Sequence, residues 1–418
     1  MSVMNGKRMS NEKDTRYGWF IVSLGGLTNL FGIGIPLMCM PVLFNEISAE
    51  LDLSLVQIGA AWGMGGLASM IMTPFGGLIG DRFGVKRTVM IACILIGIAG
   101  GARGLSEGFS GLATTMFFYG LLQNTIVLNI HKSCCVWFSG KKMVIANGIV
   151  AAGIAMGMLL GALISNTIMS PLLGGWRNVL FLYGAVSIFM GLIWALTRNE
   201  PVHYDERGQT GPTPFRNTFR KVVRQRNIWI FGLAHFCYIG SIMGSVGYLP
   251  LYLRGIGWTP AEADGALAAL NGAGMIGAIP LSILSARFGL RKGFIVPAVF
   301  ITLMSMTILP FSHANFVWLL VILIGMVRDG YFAVLMTMVI ETRGIGPAYA
   351  GTAMGIIFSL GNLGAFISSP TGNRLAVIRP EFAFLFWAAL LGVSVLIFGF
   401  VKVSGESRDR SLSPEAVE

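Results

Sequence analysis

About twelve apolar stretches follow one another along this chain, each close to 20 residues long and separated by short polar breaks. The hydrocarbon core of a bilayer takes about 20 apolar residues as one helix. Only 12% of the residues are charged, whereas a soluble domain carries about a quarter. The pattern predicts an all-α membrane protein with twelve transmembrane helices. We expect them at 18–43, 56–79, 88–106, 111–136, 143–169, 177–197, 228–252, 262–285, 293–310, 315–339, 348–370 and 381–402.

The distribution of positive charge predicts how these spans are oriented. Twelve spans put both termini on one side, and placing that side in the cytoplasm puts 23 of the 30 Lys and Arg residues there. Five remain outside, namely Arg103, Arg177, Arg254, Arg374 and Arg379. The positive-inside rule therefore predicts a multi-pass protein of the cytoplasmic membrane with both termini inside. It also accounts for the net charge of +11, so we expect the lipid bilayer as a partner and no nucleic acid.

The chain repeats itself. Shifting the sequence by 205 residues aligns "LIGDRFGVKR", within Gly76–Arg87, with "ILSARFGLRK", within Leu281–Lys292. A shift of 203 sets "GALIS" (Gly161–Ser165) on "GAFIS" (Gly364–Ser368). Repetition at nearly one offset predicts two pseudo-symmetric six-helix bundles related by an axis along the membrane normal. The expected parts are a tail at 1–17, a bundle at 18–197, a linker at 198–227, a bundle at 228–402 and a tail at 403–418.

Several classes of chemistry are not expected. The five cysteines all fall inside apolar runs without metal-ligand spacing, so we expect no metal site and no disulfide framework. The sequence contains no phosphate-binding loop of the type G-x-x-x-x-G-K-[ST], and no constellation of residues suggests an enzyme. We therefore expect no cofactor and no nucleotide as a source of energy.

At this point the chain resembles the transporters of the major facilitator superfamily. The resemblance extends from Tyr17 to about Val401 and rests on "GGLIGDRFGVKR", its degenerate copy, and "WFSGKKMVIANGI" between spans four and five. It implies alternating access, in which two halves rock around a central site lined by spans one, four, seven and ten.

Within the superfamily, "DTRYGWFIVSLGGLTNLFGIGIPL" is similar to the first span of monocarboxylate and oxalate/formate-type carriers, although span eight lacks the arginine that those carriers usually keep there. "SLGNLGAF" in span eleven resembles a nitrate-porter signature, but the arginines of such porters in spans two and eight are missing. "GIAMGMLLGALIS" in span five lacks the Gly-Pro that is typical of drug antiporters. Nitrate transport and drug efflux are therefore disfavoured.

Arg328 and Asp329 lie near the middle of span ten, where an ionisable residue is costly and is by default a candidate site. A guanidinium matches a carboxylate, so we predict that Arg328 binds an anionic substrate and that Asp329 orients it or carries a coupling proton. Because adjacent helical residues point about 100° apart, we expect each of the two to find its partner elsewhere. The structural alternative is an ion pair of Asp329 with Lys132, or of Arg328 with another span.

Other polar residues in the spans extend the candidate site. The repeat makes Gln123 and Asn124 equivalent to Arg328 and Asp329, which predicts an amide pair facing a charged pair across the cavity. His131 and His235 are candidates for proton transfer because histidine titrates near neutral pH. Each could instead bond a helix carbonyl, and each amide could join neighbouring helices. The remaining candidates are Tyr238, Asn29 and Asn362 for substrate and Lys132 for coupling or pairing.

Together these features predict a monomeric secondary carrier of a small organic anion, by proton symport or exchange against a counter-anion. Two alternatives remain open. The chain could carry a neutral or cationic solute, efflux included, with Asp329 as the binding group, or it could be a membrane sensor that transports nothing.

The motif between spans two and three predicts a gate at the cytoplasmic side. Arg82 and Arg87 hold the loop inside, Gly76, Gly80 and Gly84 shape it, and Asp81 can pair with the other half. The second copy has Ala286 at the position of Asp81, which predicts that this contact exists on the first half only.

The substitution Asp81→Asn should therefore slow turnover and leave substrate affinity unchanged, because it weakens a gating contact and not a binding contact. Initial uptake rates over a range of substrate concentrations measure both quantities. A change confined to the Michaelis constant would contradict this assignment.

Overall fold

The computed structural model describes residues 2–198, 215–288, 291–340, 342 and 345–400. In this part of the chain the secondary structure is helical, and eleven helices are long and apolar enough to cross a membrane. We add the helix that lies at the eighth predicted span and number all twelve in chain order. They are α1 (Thr15–Leu51), α2 (Leu55–Met72), α3 (Val85–Leu105), α4 (Phe109–Trp137), α5 (Gly140–Leu173), α6 (Trp176–Leu196), α7 (Arg226–Gly255), α8 (Pro260–Phe288), α9 (Gly293–Phe311), α10 (Ala314–Ile340), α11 (Tyr349–Ile378) and α12 (Pro380–Gly399).

The prediction of an all-helical membrane protein is confirmed, with local differences at spans one, two and eleven. The eleventh predicted span ends at 370, but α11 continues to Ile378. The first predicted span ends at 43, but α1 continues to Leu51 and ends before Asp52, which has a left-handed backbone with φ of 51°. The second predicted span reaches 79, but α2 ends at Met72 and a separate short helix, Gly76–Phe83, follows. This break occurs where the apolar stretch gives way to "TPFGG", because proline and glycine are poor helix formers.

The two halves of the chain pack their helices in the same way. In the first half α1 packs on α5, α2 on α4 and α3 on α6, and in the second half α7 packs on α11, α8 on α10 and α9 on α12. The helices that match under the shift of about 205 residues therefore have matching neighbours. This agreement confirms the two pseudo-symmetric bundles, while the exact residue boundaries of the domains stay a prediction.

Glycines allow the closest of these contacts. A Cβ atom at Gly161 of α5 would lie 2.6 Å from the backbone oxygen of Ile35 in α1. At the equivalent position in the second half, a Cβ atom at Gly364 of α11 would lie 2.2 Å from the backbone oxygen of Phe236 in α7. Only glycine permits such an approach of two helix backbones, as expected for small residues in membrane helices.

The halves meet along two pairs of helices, α2 with α11 and α5 with α8, and α1 also contacts α7. A Cβ atom at Gly63 of α2 would lie 2.8 Å from the backbone oxygen of Phe366 in α11, so these helices touch along their backbones. The candidate site lies between the two interfaces. The predicted linker contains a helix, Phe215–Val223, while residues 199–214 and 401–418 lie outside the described part.

Candidate functional site

A cavity of about 370 Å³ lies between the two halves. Its walls come from α1, α2, α3 and α4 in the first half and from α7, α10 and α11 in the second. Most of the lining is apolar, with Trp62, Phe332 and Phe358 as aromatic members. The lining residues that carry polar side-chain atoms besides Trp62 and Tyr119 are Ser69, Thr73, Arg103, Gln123, Asn124, His235, Asn362 and Ser369. A cavity with these properties can enclose a small organic molecule.

Arg103 contributes the charged side chain of this lining. The charge distribution counts it on the outer side, at the end of the third expected span, and the structure buries it to 1% exposure. Its side chain leaves the last turn of α3 and returns toward the membrane interior, where Nε donates to the carbonyl of Gly100 (3.1 Å) and Nη1 to the carbonyl of Pro36 in α1 (3.1 Å). The guanidinium carbon lies 4.3 Å from the centre of the Tyr119 ring in α4. The side chain thus joins three helices of the first half.

The partners of Arg103 are neutral. In the part of the chain that the structure describes, no carboxylate pairs with its guanidinium, and its Nη2 atom is buried without a hydrogen-bond partner. A ring face stabilises a cation by about 0.5–2 kcal/mol, which is small beside the several kcal/mol that burial of an ion costs. The cavity wall therefore holds a positive charge that is incompletely compensated.

Four of the predicted binding residues lie in this wall: Gln123, Asn124, His235 and Asn362. Asn124 donates to the hydroxyl of Thr73, the residue after α2 (3.0 Å), within the same half. Nδ1 of His235 lies 3.3 Å from the hydroxyl of Tyr331 in α10. The structure therefore brings these four together around one space, and their role in binding stays a prediction.

Other predicted residues lie away from the lining. Asn29 is fully buried and donates to the carbonyl of Val150 in α5 (3.1 Å), so it joins two helices of the first half. Tyr238 is buried with its ring stacked on Tyr331, at 3.7 Å between ring centres. Nδ1 of His131 lies 2.8 Å from the side-chain oxygen of Asn147 in α5. Lys132, beside it in α4, is half-buried.

The arrangement of Arg328 and Asp329 differs from the expectation. Nε of Arg328 donates to Oδ1 of Asp329 (2.9 Å) and Nη2 lies 3.3 Å from Oδ2, so the two neighbours form an ion pair with each other. The third guanidinium nitrogen, Nη1, donates to Asn271 in α8 (2.9 Å). The expectation that each needs a partner elsewhere was wrong, because the flexible arginine side chain bridges the 100° between adjacent helical positions. Neither residue is part of the cavity lining described above.

A network centred on Asp264 closes the cavity toward the side opposite the termini, which is the predicted outer side. Asp264 of α8 is fully buried and pairs with Arg254 at the end of α7. Its other carboxylate oxygen accepts from Asn166 (2.9 Å) and Thr167 (3.1 Å) of α5. Nη1 of Arg254 donates to the carbonyl of Val42 in α1 (2.9 Å). The carboxylate and its arginine therefore hold both halves together.

Two further hydrogen bonds close the same region. The indole nitrogen of Trp62 in α2 donates to the carbonyl of Met243 in α7 (2.8 Å), and Asn373 of α11 donates to the carbonyl of Leu55 in α2 (2.9 Å). Trp62 also lines the cavity. The predicted outer wall of the cavity is thus built from direct contacts between the halves.

The predicted gating motif lies at the other side. Gly80 approaches α4 so closely that a Cβ atom would lie 1.6 Å from Oδ1 of Asn129, and the carbonyl of Gly76 accepts from the same side chain (3.0 Å). Gly84 has φ of 82° and ends the short helix Gly76–Phe83. Arg82 and Arg87 are exposed, and the side chain of Asp81 lies outside the described residues, so its gating role stays a prediction.

Arg103 and Asp264 are the residues that sequence reasoning missed. Both had a signal, since each lies inside an expected span, 88–106 and 262–285, where a charge is costly. Arg103 follows Gly100 and Gly101, which leave room for its side chain to fold back. The partners of Asp264 are 10 and about 100 residues away in sequence, so only the tertiary structure shows them.

The sequence matches the family model of the Major Facilitator Superfamily over residues 22–369. The chain belongs to this superfamily. It is 25% identical to the cis,cis-muconate transport protein of Acinetobacter baylyi, over 88% of this chain and 91% of that protein. It is 24% identical to a probable sulfoacetate transporter of Cupriavidus necator, over 85% and 87%.

The fold agrees with that of solved transporters of the superfamily. A bacterial homologue of the human lysosomal transporter Spinster, in an inward-facing and occupied conformation, superposes with a TM-score of 0.75 at 15% identity. The alignment covers 91% of this chain and 96% of that one. The Major Facilitator Superfamily chain described here is therefore a multi-pass membrane transporter with two six-helix halves, and the family resemblance stated from the sequence is confirmed.

The Asp264 network generates a prediction about the closed side. Asp264→Ala removes the carboxylate that both halves share, and hydrogen bonds to a charged group contribute about 1.5–3 kcal/mol. Since about 1.4 kcal/mol changes an equilibrium tenfold, the population open toward the side opposite the termini should rise about tenfold or more. An added cysteine at Met40, a fully buried lining residue, should then react correspondingly faster with a membrane-impermeant maleimide from that side.

The matched control is Glu262→Ala, two residues earlier on α8. Glu262 is exposed, and its carboxylate caps Thr259 of the same segment (2.9 and 2.8 Å). Equal labelling rates of the Met40→Cys protein with Asp264→Ala and with Glu262→Ala would contradict the role of the network.

Proposed function

We propose that this chain is a secondary active transporter that moves a small organic anion of the carboxylate type across the cytoplasmic membrane by alternating access. In this proposal both termini are cytoplasmic, the protein works as a monomer, and transport is coupled to protons or to a counter-anion. Membership of the superfamily supplies the transport part, while the charge of the substrate has to be argued from the cavity.

The observation that carries the proposal is the charge of the cavity wall. Among the described residues that line it, Arg103 is the permanently charged one, and none is Asp or Glu. A cavity with a cation and no carboxylate favours an anion over a cation, because an anion compensates the buried charge and a second cation adds to its cost. Amides and hydroxyls of Ser69, Gln123, Asn124 and Asn362 offer further hydrogen bonds.

The relatives support the same class of substrate. One is named for transport of cis,cis-muconate and another as a probable transporter of sulfoacetate, and both compounds are organic anions. The alternative of a cationic solute depends on Asp329, whose two carboxylate oxygens are engaged by Arg328 in this structure. This geometry favours the anion over the cation.

Uptake by the purified protein in liposomes tests the proposal. A panel of labelled acetate, benzoate, cis,cis-muconate, sulfoacetate and glucarate should include at least one anion with saturable uptake. An inward proton gradient should stimulate this uptake if the mechanism is symport, and unlabelled anion inside the liposomes should do so if it is exchange. Benzamide, the neutral counterpart of benzoate, and a labelled organic cation serve as controls. Transport of the cation or of benzamide, with no anion transported, would contradict the proposal.

A further inference from the structure

Two arginines, Arg103 and Arg328, are buried in the described part of this protein, and a third, Arg254, is half-buried. Their surroundings differ in one respect. Arg254 pairs with Asp264, and Arg328 pairs with Asp329. Arg103 is more deeply buried than either, with 1% exposure against 10% and 8%, and no carboxylate of the described residues pairs with it. A buried charge without a partner is costly. An anionic ligand that binds and then dissociates supplies the missing partner.

The position of the unpartnered atom points in the same direction. Arg103 belongs to the lining of the central cavity, while Nε and Nη1 are held by the carbonyls of Gly100 and Pro36. These two bonds and the ring of Tyr119 fix the guanidinium plane, while Nη2 has no hydrogen-bond partner and is itself buried in this state of the protein. A guanidinium fixed by neutral groups is already oriented for an anion, and a carboxylate reaches Nη2 once the lining side chains move aside as the halves rock.

The lining residues beside Arg103 indicate which carbon skeleton the cavity can hold. Leu37 and Met40 follow Pro36 on α1, and Met116 has its sulfur 3.9 Å from Nη1 of Arg103. These side chains offer no strong hydrogen bond. An apolar carbon skeleton would lose nothing there, whereas the hydroxyl groups of a sugar acid would exchange water for apolar contacts.

We infer that Arg103 is a substrate-binding residue that receives a carboxylate head group through Nη2, and that the substrate is a carboxylate with an apolar body. This inference rests on the proposed function and adds the binding residue and the substrate class. It assigns anion binding to Arg103 in α3, whereas the sequence predicted Arg328 in α10.

Two six-carbon dicarboxylates test both parts of the inference. Muconate and glucarate have the same charge and chain length, but glucarate carries hydroxyl groups along the chain. In detergent, cis,cis-muconate should raise the melting temperature of the wild-type protein in a saturable way, and its dimethyl ester should not. Glucarate should bind at least about tenfold more weakly. If muconate does not raise the melting temperature, or if glucarate binds as tightly as muconate, the inferred substrate class is wrong.

Substitutions at Arg103 test the residue. Arg103→Gln should raise the dissociation constant of muconate and the Michaelis constant for its uptake by about 10–100-fold, since it removes a charge-assisted hydrogen bond. Arg103→Lys should give a smaller increase, because lysine keeps the charge without the fixed fork. Arg379→Gln and Arg379→Lys are the matched controls, because Arg379 is an exposed arginine at the predicted outer side. These controls should leave both constants unchanged.

A purely structural role gives a different result. If Arg103 only joins α1 to α3, or if a buried water satisfies Nη2, Arg103→Lys lowers the melting temperature of the ligand-free protein and leaves both constants unchanged. That outcome overturns the inference. If Arg103→Gln yields no folded protein, Arg103→Lys decides by the same criterion. A rise in the constants that is confined to Arg328→Lys also overturns it, in favour of Arg328.

The experiment separates this inference from the proposed function. If the wild-type protein transports no member of the anion panel, the proposed function fails. If it transports muconate and Arg103→Lys does so with the same Michaelis constant, the function stands and the assignment of Arg103 fails.

Discussion

A positive charge buried in an apolar environment has to be compensated, and the way this chain compensates its buried arginines organises the structure. Arg254 and Arg328 are neutralised by carboxylates of the protein. The first of these pairs reaches from one half to the other through Asn166 and Thr167, so charge compensation and closure of the cavity depend on the same carboxylate. Among the described residues, Arg103 is compensated by carbonyl dipoles and a ring, and no carboxylate pairs with it.

These charges lie among helices that pack closely on one another. Glycines such as Gly161 and Gly364 let helix backbones touch within a half, and Gly63 does the same between the halves. Two halves that keep their own packing can rock about the cavity, which is what alternating access requires. The hydrogen bonds of Trp62 and Asn373 join the halves, and they can break and form again without disturbing either bundle.

The fold could be predicted from the sequence because its signals are long and repeated. Apolar stretches of about 20 residues predict the spans, and the second copy of "LIGDRFGVKR" predicts the two halves. Both signals can be read directly along the chain. The candidate site could be predicted only in part. Gln123, Asn124, His235 and Asn362 do line the cavity, because polar side chains in a span tend to face the interior of the bundle.

The charged residues of the site were harder to predict, for a physical reason. An arginine side chain is long, so the position of its Cα says little about where its guanidinium lies. The backbone of Arg103 lies near the end of a span, but its guanidinium lies beside Pro36. The guanidinium of Arg328 bonds to the neighbouring Asp329. The partners of Asp264 come from α5 and α7, which no local pattern connects to α8.

The central claim is that the free nitrogen of Arg103 receives a carboxylate inside the cavity between the halves. The most direct measurement is a crystal structure with bound 3-bromopropionate, in which the anomalous scattering of bromine locates the ligand. The account predicts a bromine peak in the cavity and a carboxylate oxygen about 2.7–2.9 Å from Nη2 of Arg103, the usual length of a charge-assisted hydrogen bond. A ligand seated at Arg328, or a cavity without ligand at saturating 3-bromopropionate, would contradict it.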